Sequence, residues 1–309
     1  MKKKIIVTIC LIILIAGTLS LQACGDHETY DVVCTIFPQY DFVKQIVGDE
    51  LKVKMLLPQG TDAHNYELKY SDKRAIQNSK LFVCVGGESE RWVEDVKKST
   101  DLRNVSVLKL MQHADLIPIA DEHEHEHEEE GEYDDFDEHV YLSVKNSIAF
   151  VRVLQKEISR LYPEKEPTFR ENADALVNVL KALDEEYEAV KKESTEKTFF
   201  FADRYPFAYL MRDYDWVCVT PYKGCSSDLE ISAADKVQFA EAYENSVAKG
   251  VFIIENGNIE LANSVLRNKP GEIFELHSCQ TVSKKEMQGN VHYSDLMRKN
   301  LNVIKEYLL

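Results

Sequence analysis

Residues 168–194, TFRENADALVNVLKALDEEYEAVKKES, run without a proline or a glycine. Ala173, Leu176, Leu180, Leu183, Tyr187 and Val190 recur three and four apart along this stretch, the spacing of one helix face, so it predicts a single amphipathic α-helix about 40 Å long. Strand and helix signals alternate on both sides of it. Before it, short apolar runs predict strands at 31–36, 52–57, 81–85 and 105–108, with helices at 41–47, 71–78 and 146–161. After it the alternation restarts, with strands at 198–202, 216–219, 251–254 and 273–276 and a last helix carrying Met297, Leu301, Ile304 and Leu308 on one side. Such alternation marks a mainly parallel sheet wrapped by helices. The reading is an α/β fold of two lobes, 25–163 and 195–309, joined by one long rigid helix within 164–194. A continuous helix resists bending better than loop linkers do, so the lobes are expected to close only slightly on a ligand.

The first 24 residues set the compartment. Lys2, Lys3 and Lys4 precede an apolar run at 5–19, which is shorter than the roughly 20 residues of a membrane span and has the layout of a secretory signal. Leu21-Gln22-Ala23-Cys24 resembles a bacterial lipobox. The mature chain is therefore expected to begin at Cys24, held by lipid on the outside of the cell membrane.

The whole chain carries a formal charge of −16, and the leader holds three lysines and no acid, which leaves −19 on the rest. That balance excludes a nucleic-acid or anionic-lipid surface and suits a cationic partner. Beyond the leader lie five cysteines: Cys34, Cys84, Cys218, Cys225 and Cys279. An exported location permits disulfides, and an odd number leaves at least one thiol over. Cys34 and Cys84 sit in strand-like runs, DVVCTI and LFVCV, that could neighbour each other in one sheet; Cys225 and Cys279 sit in loop-like surroundings and are the preferred bridge.

Residues 121–139, DEHEHEHEEEGEYDDFDEH, bring the chemistry into view. Neutral imidazole is a preferred ligand of zinc and neighbouring metals, so His123, His125 and His127 among carboxylates predict a loose metal trap on a solvated loop. His139 closes the run and is followed at once by an apolar stretch, which anchors it where the other three are not. His64, in GTDAHNYE at 60–67, follows the strand ending near Leu57, and loops at the carboxyl ends of parallel strands are where α/β folds place ligands.

GTDAHNYE, DEHVYLS, the His-rich acidic loop between them, the long helix and the lipobox together resemble the zinc- and manganese-binding lipoproteins of ABC importers, the cluster A-I or ZnuA/TroA-like family. TIFPQYDFVKQIVGD, FVCVGGESERWVED and YSDLMRKNL add to the resemblance, which covers essentially the mature chain. It implies a monomeric extracytoplasmic solute-binding protein that captures Zn2+, or alternatively Mn2+, and passes it to an ABC permease and its ATPase. A surface adhesin of the same fold is a further alternative. The resemblance places the ion between the lobes, on two N-lobe histidines, matched by His64 and His139, and on a C-lobe histidine and carboxylate. There the chain departs from the pattern: Arg204 stands in the histidine slot, and a guanidinium cannot ligate a cation. The usual late aspartate is also missing. The expectation is that His277 supplies the imidazole and Asp203 the carboxylate, with Glu230 or Cys279 as rivals for that position. Four protein ligands suit capture rather than catalysis, and no Gly-x-Ser-x-Gly elbow is present, so no enzyme is expected.

Overall fold

Among the described residues, eight short parallel strands carry the chain back and forth across both lobes. A computed structural model describes residues 29–119, 136–222 and 231–309. Cys24, His123, His125, His127, Cys225 and Glu230 lie outside the described residues.

In the first lobe β1 (Val32–Cys34), β2 (Val53–Met55), β3 (Leu81–Cys84) and β4 (Ser106–Lys109) form one parallel sheet in the order β2-β1-β3-β4. Helices α1 (Phe37–Val47), α2 (Tyr70–Gln77), α3 (Trp92–Ser99) and α4 (Val144–Leu161) cover it. The central strands β1 and β3 are buried on both faces, which is why they read as unbroken apolar runs, whereas the edge strands β2 and β4 are half-buried and admit Lys54 and Ser106. Val32, Cys34, Leu81 and Val83 face the main core, while Val33, Phe82 and Cys84 face a smaller cluster with Ile76, Val93 and Val96. That division follows from the alternation of side chains along a strand. Cys34 and Cys84 lie on adjacent strands and both are free, buried thiols. Helix α1 starts at Phe37, earlier than periodicity suggests, because Pro38 supplies a pre-set first turn and Gln39 Oε1 accepts the Ile36 N–H at 2.9 Å.

The second lobe repeats the plan. β5 (Thr198–Phe200) pairs with β6 (Val217–Val219), and β7 (Gly250–Ile254) pairs with β8 (Glu272–Leu276). A bridge between Phe201 and Phe252, with the Ala202 N–H donating to the Phe252 carbonyl at 2.9 Å, joins the pairs in the order β6-β5-β7-β8. Around them lie α6 (Ala208–Asp213), α7 (Ala233–Glu244), α8 (Glu260–Leu266), α9 (Lys284–Gln288) and α10 (Tyr293–Leu308). Cys279 is a free thiol, so the expected bridge to Cys225 is corrected: Cys279 is fully buried and its Sγ lies 3.6 Å from the His277 carbonyl.

Between the lobes runs α5 (Glu166–Glu193), 28 residues long and preceded by a 3-10 turn at Pro163–Lys165. Its apolar face buries Phe169, Ala173, Leu176, Val177, Leu180, Leu183, Tyr187 and Val190 in a core that both lobes share. Asn172 Nδ2 donates to the Ile46 carbonyl in the first lobe at 3.0 Å, and the Tyr187 hydroxyl donates to the Met297 carbonyl in the second at 2.7 Å. Further ties cross directly. The Phe37 N–H donates to the Gln280 carbonyl at 3.1 Å, the Gly60 N–H to the Val282 carbonyl at 2.9 Å, and the Tyr293 hydroxyl to the Tyr141 carbonyl at 2.6 Å.

One tie titrates. His292 Nδ1 lies 2.8 Å from Asp41 Oδ1, while Asp41 Oδ2 accepts the Tyr293 N–H at 2.8 Å. The hydrogen bond to Asp41 raises the His292 pKa, partial burial opposes it, and the charges of Asp41 and Asp295 add to the rise. A raised histidine contributes stability in full below its unfolded value, about 6.5, and loses it as pH climbs through the folded value. With the His292 side chain 47% exposed the pair counts as a half-solvated one, worth about 0.2–1 kcal/mol. Replacing His292 with Gln is expected to lower the melting temperature of the metal-free protein by about 1–3 °C at pH 5.5 and to leave it unchanged at pH 8.5, as read by calorimetry.

Candidate metal centre

The carboxyl ends of the strands in both sheets open onto one cleft of about 430 Å3, lined by Asp62, His139, Arg204, Glu255, His277 and Glu286 among others. His64 sits in a 3-10 turn, Ala63–Asn65, beyond β2. Asp62 caps that turn: its Oδ1 accepts the His64 N–H at 3.0 Å. His139 is the residue before a second 3-10 turn, Val140–Leu142, and is buried. The neck of the acidic loop is closed just before it by an antiparallel bridge between Pro118 and Phe136, with the Asp137 N–H donating to the Ile117 carbonyl at 2.9 Å. That closure gives His139 its fixed place.

The two imidazoles lie with ring centroids 6.1 Å apart and their planes tilted by 49°. Asp137 Oδ1 lies 2.9 Å from His139 Nδ1 and also accepts the His139 N–H at 2.8 Å. A carboxylate on Nδ1 assigns the proton there and turns Nε2 toward the cleft as the basic nitrogen, the usual outer support of a metal-binding histidine.

A third group completes the cluster, and sequence reading missed it. Glu138 offers an oxygen that, with one nitrogen each of His64 and His139, forms a set whose atoms all lie within 4.8 Å of one another. Its Oε1 is 3.8 Å from His64 Nδ1. Its Oε2 accepts both the Ser89 N–H at 2.8 Å and the Ser89 hydroxyl at 2.9 Å. Ser89 belongs to the loop after β3, where Gly87 packs on Glu138 so closely that a Cβ at Gly87 would overlap both Cβ and Oε2 of Glu138. Glu138 stands in a long acidic run, so nothing in composition singles it out; the signal is its place beside His139 combined with the Gly86-Gly87 pair. Beneath it lies Glu90, whose carboxyl burial pushes up to about 7 against hydrogen bonds from Thr35 and Gly86, with the charge of Glu138 adding to the rise.

Across the cleft the expected ligands fare differently. Arg204 Nη1 donates to Asp62 Oδ2 at 2.6 Å, an ion pair between lobes. Burial works to raise the Asp62 pKa, but the Arg204 hydrogen bond and then the His64 N–H outweigh it, and the group is held below the ordinary carboxylate value. Asp203 is buried but does not line the cleft. Its Oδ1 accepts the Arg204 N–H at 2.8 Å and its Oδ2 the Ile254 N–H at 3.3 Å, against a backbone that comes close because residue 257 is glycine. Each oxygen of Asp203, the carboxylate expected to ligate, thus accepts from the backbone of its own lobe. His277 does line the cleft. Its Nδ1 accepts the Cys279 N–H at 2.9 Å, and Glu255 and Glu286 flank the ring at 3.7 and 3.8 Å.

A family model described as ZnuA, zinc-uptake complex component A, periplasmic, matches residues 32–307. The zinc-binding lipoprotein AdcA of Streptococcus pneumoniae is 30% identical over 304 residues, 98% of this chain and 60% of that protein. The chain thus spans about 60% of the length of such curated relatives. The high-affinity zinc uptake system protein ZnuA of Bacillus subtilis is 28% identical over 311 residues, 97% of each chain. Among solved structures, the Zn(II)-bound ZnuA-like domain of Streptococcus pneumoniae AdcA matches with a TM-score of 0.74 at 27% identity, covering 91% of this chain and 99% of that one.

The contact between Gly87 and Glu138 yields a direct test of the local packing. Gly87→Ala is expected to cost about 1–3 kcal/mol, the usual penalty for overpacking, measured by denaturant unfolding of the metal-free protein.

Proposed function

The chain belongs to the ZnuA family, and from that premise we propose that it captures a zinc ion in the cleft between its lobes and delivers it to an ABC permease driven by its ATPase. The observation that carries the reading is the convergence of His64 and His139, from loops more than seventy residues apart, at the edge of that cleft, whose wall His139 lines. Each histidine has its own acidic neighbour: Asp62 caps the turn of His64 through the backbone N–H, and Asp137 sets the tautomer of His139. Borderline-soft zinc prefers imidazole, whereas manganese prefers a site of oxygens, so a pair of histidines favours zinc. Binding and release without turnover is the whole of the activity proposed.

Lipid on Cys24 would keep the protein at the outer face of the membrane, beside its permease. No helix among the described residues is long and apolar enough to cross a bilayer. His123, His125 and His127 would act as weak sites that raise the local zinc concentration and feed the cleft.

Zinc affinity measured by competition with a chromophoric chelator tests this. Replacing both His64 and His139 with Ala is expected to weaken binding by at least about 100-fold, since even the outer partners of a metal-bound histidine are worth 10–100-fold. Affinity left intact would place the ion elsewhere and end the reading. Deleting residues 121–130 is expected to slow zinc acquisition from dilute solution while the equilibrium affinity of the cleft stays the same; stopped-flow uptake and equilibrium titration of the same variant separate the two.

A further inference from the structure

We propose that zinc is held by the N-terminal lobe alone, through His64, His139 and the carboxylate of Glu138, an inference that rests on the cleft-capture reading above. The geometry supports it from both sides. On the N-lobe side the three donor atoms lie within 4.8 Å of one another, whereas donors around a tetrahedral ion with bonds of 2.0–2.1 Å stand about 3.3 Å apart. Only a small contraction separates the two. Glu138 is also prepared for the task. Both donors of Ser89 fix one of its oxygens, which leaves the other aimed at the His64 ring, and the bare backbone of Gly87 makes room for the carboxylate to stand there. Two imidazoles and one carboxylate form a donor set that zinc accepts readily, and they neutralise half its charge.

On the C-lobe side the residues in the positions the family resemblance points to are not set to ligate, and the carboxylates of that wall are engaged: both oxygens of Glu255 accept from Ser278, and Glu286 Oε2 accepts from the Ser283 N–H and hydroxyl. Arg204 has none to give. It is spent instead on Asp62, the residue that caps the His64 turn, so the second lobe acts on the metal through the position of a ligand rather than by ligating. Asp203 faces its own backbone. His277 Nδ1 already accepts the Cys279 N–H, so in the neutral ring the proton resides on Nε2, which points toward Glu286 3.8 Å away. For His277 to ligate through Nε2 its ring would have to carry the proton on Nδ1, against the Cys279 N–H. With three protein donors, the fourth position on the ion opens toward the C-lobe wall. Water or a small anion from the medium fills it.

The experiment is zinc affinity of the full chain at pH 7.4 by chelator competition, together with X-ray absorption of the zinc-loaded protein. Glu138→Gln keeps an oxygen to accept the Ser89 hydrogen bonds and removes only the charge. It is expected to weaken binding at least about 10-fold, and His277→Ala to change it by less than about threefold. The absorption spectrum of the unaltered protein, which needs no variant to fold, is expected to count two imidazoles around zinc, and that of His277→Ala the same. Three imidazoles, a Glu138→Gln protein that binds as the parent does, or a His277→Ala protein that binds as weakly as His64→Ala would each overturn the proposal. Retention of zinc by His64→Ala and His139→Ala would instead overturn the cleft reading beneath it, so the two failures are distinct.

Discussion

The apolar stripe of α5 is the constraint from which the rest follows. A 28-residue helix that buries one face in a core common to both lobes leaves no separate hydrophobic surface on which either lobe could swing. Opening the molecule widely would expose Phe169, Leu180 or Tyr187 to water, at about 1.5–3 kcal/mol for each large side chain. The width of the cleft is therefore fixed by packing far from it. Short strands then end at that cleft from both sides, and their loops carry every polar group that matters there.

Within this frame the metal-binding face is arranged by small polar devices rather than by bulk. His64 and His139 are each capped or braced by a carboxylate two positions before them in sequence, Asp62 and Asp137, and Glu138 is braced by Ser89 from the loop after β3. Such bracing lowers the cost of bringing polar groups together out of water, because each one keeps a hydrogen bond that it would otherwise lose. It also lowers the entropy lost when a ligand arrives. The ion pair of Arg204 with Asp62 extends the bracing across the cleft, so the two lobes communicate through a carboxylate that both of them hold.

The alternation of strands and helices was legible because parallel strands buried on both faces cannot hide: DVVCTI, LFVCV and GVFII at 250–254 are largely apolar. His64 and His139 were legible for the opposite reason, as polar residues beside apolar or turn-forming ones. What escaped was decided by contacts between distant segments. Glu138 looks like its many acidic neighbours until Gly87 and Ser89 are brought against it. Asp203 looks like a ligand until the backbone at Ile254 and Gly257 is laid over it. The orientation of His277 depends on a single backbone N–H two residues further on, which no pattern of residue types announces. Helix α1 was placed late because its first turn rests on a proline and a glutamine cap rather than on periodicity.

The cysteines carry a last consequence. Burial raises the pKa of Cys34, Cys84 and Cys279 above that of a free thiol, and pushes Cys218 up to about 12. Attack on an oxidant or a disulfide needs the thiolate, which these sulfurs scarcely form near neutral pH. Among the described residues the four thiols thus act in the fold as small packing groups rather than as nucleophiles.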